Sequence, residues 1–290
     1  MQLPFIKSLK FVVSCVVLLQ PTGHQELRGS TVKAMKTYNY VPPKRLVTKR
    51  IIVTGFASGM GFATACRVVS EGAQVALFDL NELASRKALS AIPSENDQVR
   101  SWTMDVSKEA DVKTAVAEAI EWFGGGIDVL IHLAGILRGS YLSIGEVTVE
   151  DWDAVLEVNL KGSFLMAKHV SQYMIQQQSG AIVLTSSGAG VTEGSSSYSY
   201  GSSKGGTHGL ALTLDRHLST HGIRVNEVLP GYVETPMMLE AAEEALLNTG
   251  DGAVYRTTMD GLSTPKDIAA VMAFLASDDA TSVRGTISTT

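Results

Sequence analysis

Residues 51–72 constrain the fold more than any other stretch of this 290-residue chain. Ile51-Ile52-Val53 is a β-branched apolar run, the kind of side chain that a pleated strand packs best. It ends in Thr54-Gly55-Phe56-Ala57-Ser58-Gly59-Met60-Gly61, and helix formers follow from Ala63 to Val69, closed by Gly72. A strand, a glycine turn and a helix in that order leave free backbone N–H groups at the positive end of a helix, where a pyrophosphate binds. Gly55, Gly59 and Gly61 permit the tight turn and let the backbone approach a ligand with no Cβ in the way. Such a turn on its own also occurs as an ordinary loop, so the rest of the chain has to decide.

The second apolar run, 74–79, ends in the carboxylate of Asp79. An acid at the end of this strand accepts both ribose hydroxyls of an adenosine and repels a 2′-phosphate, which favours NAD over NADP. Asp79-Leu80-Asn81-Glu82 also opens a helix. Capping suits Asn81 better, and the ribose suits Asp79. The alternation continues with a strand at 99–104, a helix at 109–123 broken by Gly124-Gly125-Gly126, and a strand at 127–133. A long helix at 151–178 with Gly180 as its stop leads to a strand at 181–185. A second long helix at 198–221, closed by Gly222, leads to a strand at 223–229. Strands apolar on both faces that alternate with helices predict one α/β domain: a Rossmann-type doubly wound parallel sheet with helices on both faces. Ligands then bind beyond the carboxyl ends of the strands, at Gly55, Asp79, Ala134, Ser187 and Pro230.

Tyr200 and Lys204 stand four apart on the second long helix and so share a face. An ammonium near a phenol favours the phenolate and moves its pKa from about 10 toward working pH. A tyrosine tuned in this way takes a proton from a secondary alcohol or returns one to a ketone. Chance often produces Tyr-x-x-x-Lys. The glycine turn, Asp79 and Ser187 upstream make it informative here.

With residues 54–61, Asp79, Ser187, Tyr200 and Lys204 in this order, the chain resembles the short-chain dehydrogenase/reductase family from about residue 46 to 285. The resemblance implies that Tyr200 is the general acid/base, and that Lys204 steadies its phenolate and reaches the nicotinamide ribose. It implies that Ser187 holds the substrate oxygen and Asn159 holds a water that passes protons to Lys204. It also implies a cofactor path over Gly55, Ser58, Gly59, Met60, Gly61, Asp79 and Leu80, with Asp105 and Val106 at the adenine. Leu133, Ala134, Gly135, Tyr200 and Lys204 follow, and Pro230, Val233 and Thr235 hold the nicotinamide carboxamide.

Three features depart from that pattern. His132-Leu133-Ala134-Gly135 replaces the family's Asn-Asn-Ala-Gly, so Leu133 cannot brace neighbouring strands through its side chain, and some local rigidity should be lost. His132 reads either as a base or, better, as a structurally satisfied histidine on a buried strand. The last strand, from Ser282, stops before the usual Asp-Gly-Gly and reads as truncated. Glu227 lies unexplained within an apolar strand.

A net charge of −5 and a pI near 5.7 argue against nucleic acid, which demands a concentrated basic face. Two cysteines imply no disulfide framework and fit a reducing compartment. His169, His208, His217 and His221 form no ligand cluster, so no metal is expected. Residues 1–45 read as an extension outside the domain at 46–290. Their apolar run at 11–19 follows Lys7 and Lys10 like a signal core, yet it is too short to span a bilayer and no cleavage pair follows. A cytoplasmic protein without stable membrane association is expected, with an organellar or secreted form left open. The resemblance implies a homodimer or homotetramer packed through the two long helices.

A segment at 236–262 should cap the substrate with Met237, Met238, Leu239, Leu246, Leu247, Val254 and Met259. Its acids, Glu240, Glu243, Glu244, Asp251 and Asp260, outnumber Arg256 and disfavour coenzyme A or phosphopantetheine. The reading is an NAD-dependent enzyme for a small, fairly apolar secondary alcohol or ketone. The alternatives are an NADP-dependent ketone or 3-oxoacyl reductase of the same family, and a non-catalytic dinucleotide sensor.

Overall fold

The computed structural model describes residues 44–252 and 262–289, and the signal-like stretch lies outside them. The strands are β1 (Arg50–Thr54), β2 (Gln74–Asp79), β3 (Val99–Thr103), β4 (Val129–His132), β5 (Gly180–Thr185), β6 (Ile223–Leu229) and β7 (Gly285–Ser288). They form one parallel sheet in the order β3-β2-β1-β4-β5-β6-β7. The order reverses between β1 and β4. That switch point opens a crevice at the carboxyl ends of the strands, as expected of a doubly wound sheet.

Side chains on a strand alternate between faces, so strands apolar throughout feed two cores. Ile51, Val53, Val75, Leu77 and Ile131 join one core with α1 (Gly59–Ser70). Ile52, Ala76, Phe78, Leu130 and Ile182 join the other with α3 (Glu109–Trp122). The helix α2 (Glu82–Ala91) begins at Asn81, whose side chain accepts the Ala84 N–H at 3.0 Å. Before β1, Arg45 grips the fully buried Glu71 through two hydrogen bonds of 2.8 and 2.9 Å. Arg67 adds a third at 2.5 Å, and the two guanidiniums hold the Glu71 carboxyl below its usual range against the cost of burial.

The long helix expected at 151–178 is two helices joined by a wider turn. The first, α4 (Val149–Leu156), passes through a π-helical turn at Glu157–Lys161 into α5 (Gly162–Gln177). Gly180 does not stop it. Gln178 does, in a left-handed conformation with φ of 56°, while Gly180 opens β5 where a Cβ would lie 2.5 Å from Met174 Sδ.

The second long helix, α6 (Tyr198–Leu218), begins at Ser197 and gives way to a 3-10 turn before Gly222. After β6 come α7 (Pro236–Thr249) and α8 (Pro265–Ala276), the latter packed on α1 as part of the first core. Glu227 gains a physical account here. It accepts from Thr286 Oγ1 of β7 at 2.6 Å and bonds His208 Nδ1 of α6, tying three elements together. Its Oε2 is buried without a partner among the described residues.

Candidate active site

The glycine turn after β1 has the geometry its composition demands. Gly55 and Gly59 take positive φ, 71° and 52°. A Cβ on Gly61 would stand 1.9 Å from the Gly55 carbonyl oxygen, so only a hydrogen lets α1 start beneath the turn. Ser58, at the N-cap, is extended and leaves its side chain without a capping bond. Asp79 ends β2 against this turn. One carboxylate oxygen accepts the Ala57 N–H and the other the Asn81 N–H, both at 3.0 Å.

Leu80 is exposed beside it. After β3, Asp105 accepts from the Ser107 amide at 2.9 Å and the Ser107 hydroxyl at 2.7 Å. Val106 is buried against Gly162, where a Cβ would meet Val106 Cγ2 at 2.9 Å.

The segment after β4 is braced where the sequence suggested a loss. Thr54 Oγ1 accepts the N–H groups of Leu133 and Ala134, each at 3.1 Å. Its own proton therefore goes to His132 Nδ1, 2.9 Å away. That leaves the His132 proton on Nε2, which has no partner among the described residues. Structural satisfaction of His132 is thus half complete. Burial, helped by the Lys204 charge, lowers its pKa from 6.5 to about 3, so it stays neutral and is no base. A threonine hydroxyl does the bracing that Leu133 cannot.

Ser187, Tyr200 and Lys204 are brought together as expected. Lys204 Nζ stands 5.5 Å from the centre of the Tyr200 ring and donates to the Thr185 carbonyl at 2.8 Å. Gly135 permits the approach, since a Cβ there would lie 3.3 Å from Asn159 Oδ1 and 3.7 Å from Lys204 Nζ. Burial lowers the Lys204 pKa to about 8.

The expectation for Tyr200 needs correction. Its phenol lies above the ordinary value, because burial strips water from the phenolate, and a hydrogen bond from Ser187 only partly offsets this. The ammonium spends its bond on Thr185 rather than on the phenol.

Asn159, in the π-helical turn, is buried and fully engaged. Its amide oxygen accepts from Ile136 N at 2.8 Å, and its nitrogen donates to Ile136 O at 2.9 Å and Ser203 Oγ at 3.0 Å. It clamps the segment after β4 onto α6. Ser186 is a packing serine, donating to the Lys204 carbonyl at 2.8 Å.

A cavity of about 360 Å³ opens above these groups. Pro230 is buried at the end of β6, and Val233 beyond it bridges to Ser263. The Thr235 hydroxyl accepts the Met238 N–H at 3.2 Å and caps α7. Its methyl comes within 3.2 Å of a Cβ placed on Gly59, so this segment closes over the glycine turn.

Of the expected apolar cap, Met237 and Met238 line the cavity. Leu239, Leu246 and Leu247 face solvent instead, because Ala241, Ala242 and Ala245 take the inward face of α7. Val254, Arg256, Met259 and Asp260 lie outside the described residues. Glu244 accepts the Ser140 N–H at 3.3 Å and Asn248 donates to the Ser140 carbonyl at 2.8 Å, which ties α7 to the loop after β4. Tyr141, Glu193, Tyr232, Ser288 and Thr289 also line the cavity; none was expected there, and of the five Tyr232 alone lies inside a motif, between Pro230 and Val233.

Hydride transfer needs a dinucleotide held against a proton-transferring group, and a parallel sheet with a glycine cradle at its switch point supplies that arrangement. Residues 49–245 match the family described as short chain dehydrogenase. The chain belongs to the short-chain dehydrogenase/reductase family, oxidoreductases that act on CH–OH or keto groups and bind NAD or NADP.

Among its relatives is the 3-oxoacyl-(acyl-carrier-protein) reductase of Thermotoga maritima, 36% identical over 84% of this chain and 96% of that protein. The human (3R)-3-hydroxyacyl-CoA dehydrogenase is 32% identical over 83% and 94%. The crystal structure of levodione reductase superposes with a TM-score of 0.78 at 30% identity, covering 84% of this chain and 96% of that one. Among the described residues no helix is long and apolar enough to cross a membrane.

Proposed function

We propose that the protein interconverts a small secondary alcohol and its ketone with NAD(H), using Tyr200 as the acid/base. The single observation that carries this reading is the set of Ser187, Tyr200 and the buried Lys204 in one cavity with Met60 of the glycine turn. The residues present suit a dinucleotide: the Gly55–Gly61 crossing leaves room for backbone N–H groups alone, and Asp79 stands beside it with lone pairs to spare. When bound, the nicotinamide supplies the hydride acceptor or donor.

The protein does the rest. Ser187 lines the cavity with the phenol, where its hydroxyl can meet a substrate oxygen. In oxidation Tyr200 removes the hydroxyl proton, and in reduction it returns one. Lys204 keeps a positive charge beside the ring below about pH 8, opposing the burial that makes the phenolate costly. Asn159 holds the Ile136 backbone and so shapes the wall behind Lys204.

Asp79 supports NAD over NADP, because a carboxylate against the turn repels a 2′-phosphate. Among the described lining residues Lys204 is the sole cation, which disfavours the phosphates of coenzyme A or a carrier arm. The 3-oxoacyl relatives favour the second reading, a reductase of carrier-bound substrates. Exposed Phe164 on α5 and Leu212 on α6 support a subunit pair through those helices.

The test follows absorbance of NADH and NADPH with free alcohols and ketones, and with acyl-carrier and coenzyme A substrates. Tyr200→Phe is expected to lose turnover by about a hundredfold or more while NADH still binds. Normal turnover by that variant would overturn the assignment. Faster turnover of the carrier-bound substrates would overturn the choice of substrate.

A further inference from the structure

The same cavity holds a carboxylate for which hydride chemistry has no use. Glu193 is placed by a tightly folded turn in which the Gly188 carbonyl accepts the N–H groups of Val191, Thr192 and Glu193 at 3.1, 2.9 and 3.1 Å. Gly190 N donates back to the Glu193 carbonyl at 2.8 Å. The side chain then folds over Gly188, the residue after Ser187. Its Oε1 lies 3.0 Å from the position of a Cβ on that glycine. No described residue gives this carboxylate a hydrogen bond or an ion pair.

Two aromatic rings share the mouth of the cavity with it. Tyr141 and Tyr232 both line the cavity while remaining 41% and 59% exposed. Tyr141 is held in the left-handed region, φ 62°, with its N–H on the Ser196 carbonyl at 2.8 Å. A bulky residue adopts that conformation only when its surroundings fix it. The phenol of Tyr232 is raised by burial, then by the Glu193 charge and by Tyr141, so the three groups are within electrostatic reach of one another.

Lys204, the other charged group lining the described cavity, is buried and bonded to Thr185. The outer half of the cavity therefore presents the exposed Glu193 carboxylate beside two tyrosines, with no ion pair to it among the described residues. Exposed Glu240 and Glu243 on α7 add to the same sign of field.

We propose that the substrate carries a positively charged nitrogen at the end remote from its reacting carbon, held by Glu193 and by the ring faces of Tyr141 and Tyr232. The inference rests on the oxidoreductase reading above and narrows its substrate. A cation gains from the negative face of an aromatic ring as well as from a carboxylate. A carboxylate or phosphate tail meets repulsion, and no cation among the described residues lines this half of the cavity.

Three matched methyl ketones test it, each with the same trimethylene spacer and ending in a trimethylammonium, a tert-butyl or a carboxylate group. The first two share shape and differ in charge, and a trimethylammonium cannot donate a hydrogen bond. For the unaltered protein, kcat/KM is expected to favour the cation over its tert-butyl isostere by about fivefold at low salt. The carboxylate should be the worst of the three, and added salt should shrink the preference.

In Glu193→Gln the ratio of cation to isostere should fall to about two, the share left to the rings. In Tyr232→Leu it should fall by about half, with NADH binding checked in both to show that the variants are folded. Equal turnover of cation and isostere by the unaltered protein, or a preference undiminished in Glu193→Gln, would overturn the inference and leave the oxidoreductase reading standing. Lack of turnover with all three ketones, set beside a failed alcohol panel, would overturn that reading and this one together.

Discussion

The two walls of the cleft are held by different kinds of interaction. The wall made by β1, its glycine turn and the end of β2 is closed by a glycine crossing and by two short side chains on backbone amides. Gly61 crosses under the Gly55 carbonyl, Asp79 takes the Ala57 N–H, and Thr54 takes two amides after β4. The wall made by α7 is closed by longer side chains: Glu244 and Asn248 reach the Ser140 backbone, and Met237 and Met238 line the space. A glycine whose Cβ would stand 1.9 Å from a carbonyl oxygen leaves no freedom of residue type, whereas a methionine lining leaves a great deal. One wall is built to bind the same ligand always, and the other is where specificity can be set.

The sharpest way to break that contrast is Gly61→Ala against Met237→Ala. A methyl at Gly61 has to displace backbone, at a cost of about 3 kcal/mol or more, and dinucleotide affinity should fall at least tenfold. Met237→Ala removes a half-buried side chain and should leave NADH affinity in place while KM changes. Urea unfolding and NADH fluorescence read both, and equal behaviour of the two variants would dissolve the distinction.

A middle-sized effect concerns His132. It stays neutral in the fold down to about pH 3, whereas the unfolded chain takes up its proton below about pH 6.5. Stability from this group is therefore complete above the unfolded value and drains away as pH falls toward the folded one. Between about pH 7 and about pH 5 the unaltered protein should lose about 2 kcal/mol more than His132→Asn, in which an amide takes the place of the ring. Identical acid profiles in denaturant titrations would remove His132 from the glycine wall's account.

The smallest expected effect is Asp79→Ala, which should shift the ratio of NAD to NADP affinity by about tenfold toward NADP, about 1.4 kcal/mol. An unchanged ratio would mean that Asp79 serves only the Ala57 amide.

That asymmetry also explains what the sequence disclosed. Glycine spacing, the acid ending β2 and the four-residue step from Tyr200 to Lys204 are backbone-level signals, and they read through to the structure. The sheet did too, because Ile51-Ile52-Val53 could serve two cores only from a strand buried on both faces. The Thr54 hydroxyl was illegible as a brace, since its partners arrive from β4, 79 and 80 residues away.

The raised phenol of Tyr200 was illegible for a similar reason. Burial is a property of everything around the ring, and the motif names just one neighbour. Apolar content likewise predicted a greasy cap from Leu239, Leu246 and Leu247, but composition does not say which face of α7 turns inward. Glu227 looked wrong in an apolar strand because its partners, His208 and Thr286, lie on other elements.

The widened turn at Glu157–Lys161 has a consequence for how this part of the chain can change. Such a turn amounts to one surplus residue in an otherwise regular coil, and each residue rotates an α-helix by about 100°. Deleting that surplus would let the coil run straight through, swinging Asn159 away from Ile136 and Ser203 while α5 kept its length and composition. Insertions and deletions there act as a change of phase. The stretch from α4 to α5 is thus fixed in count before it is fixed in chemistry.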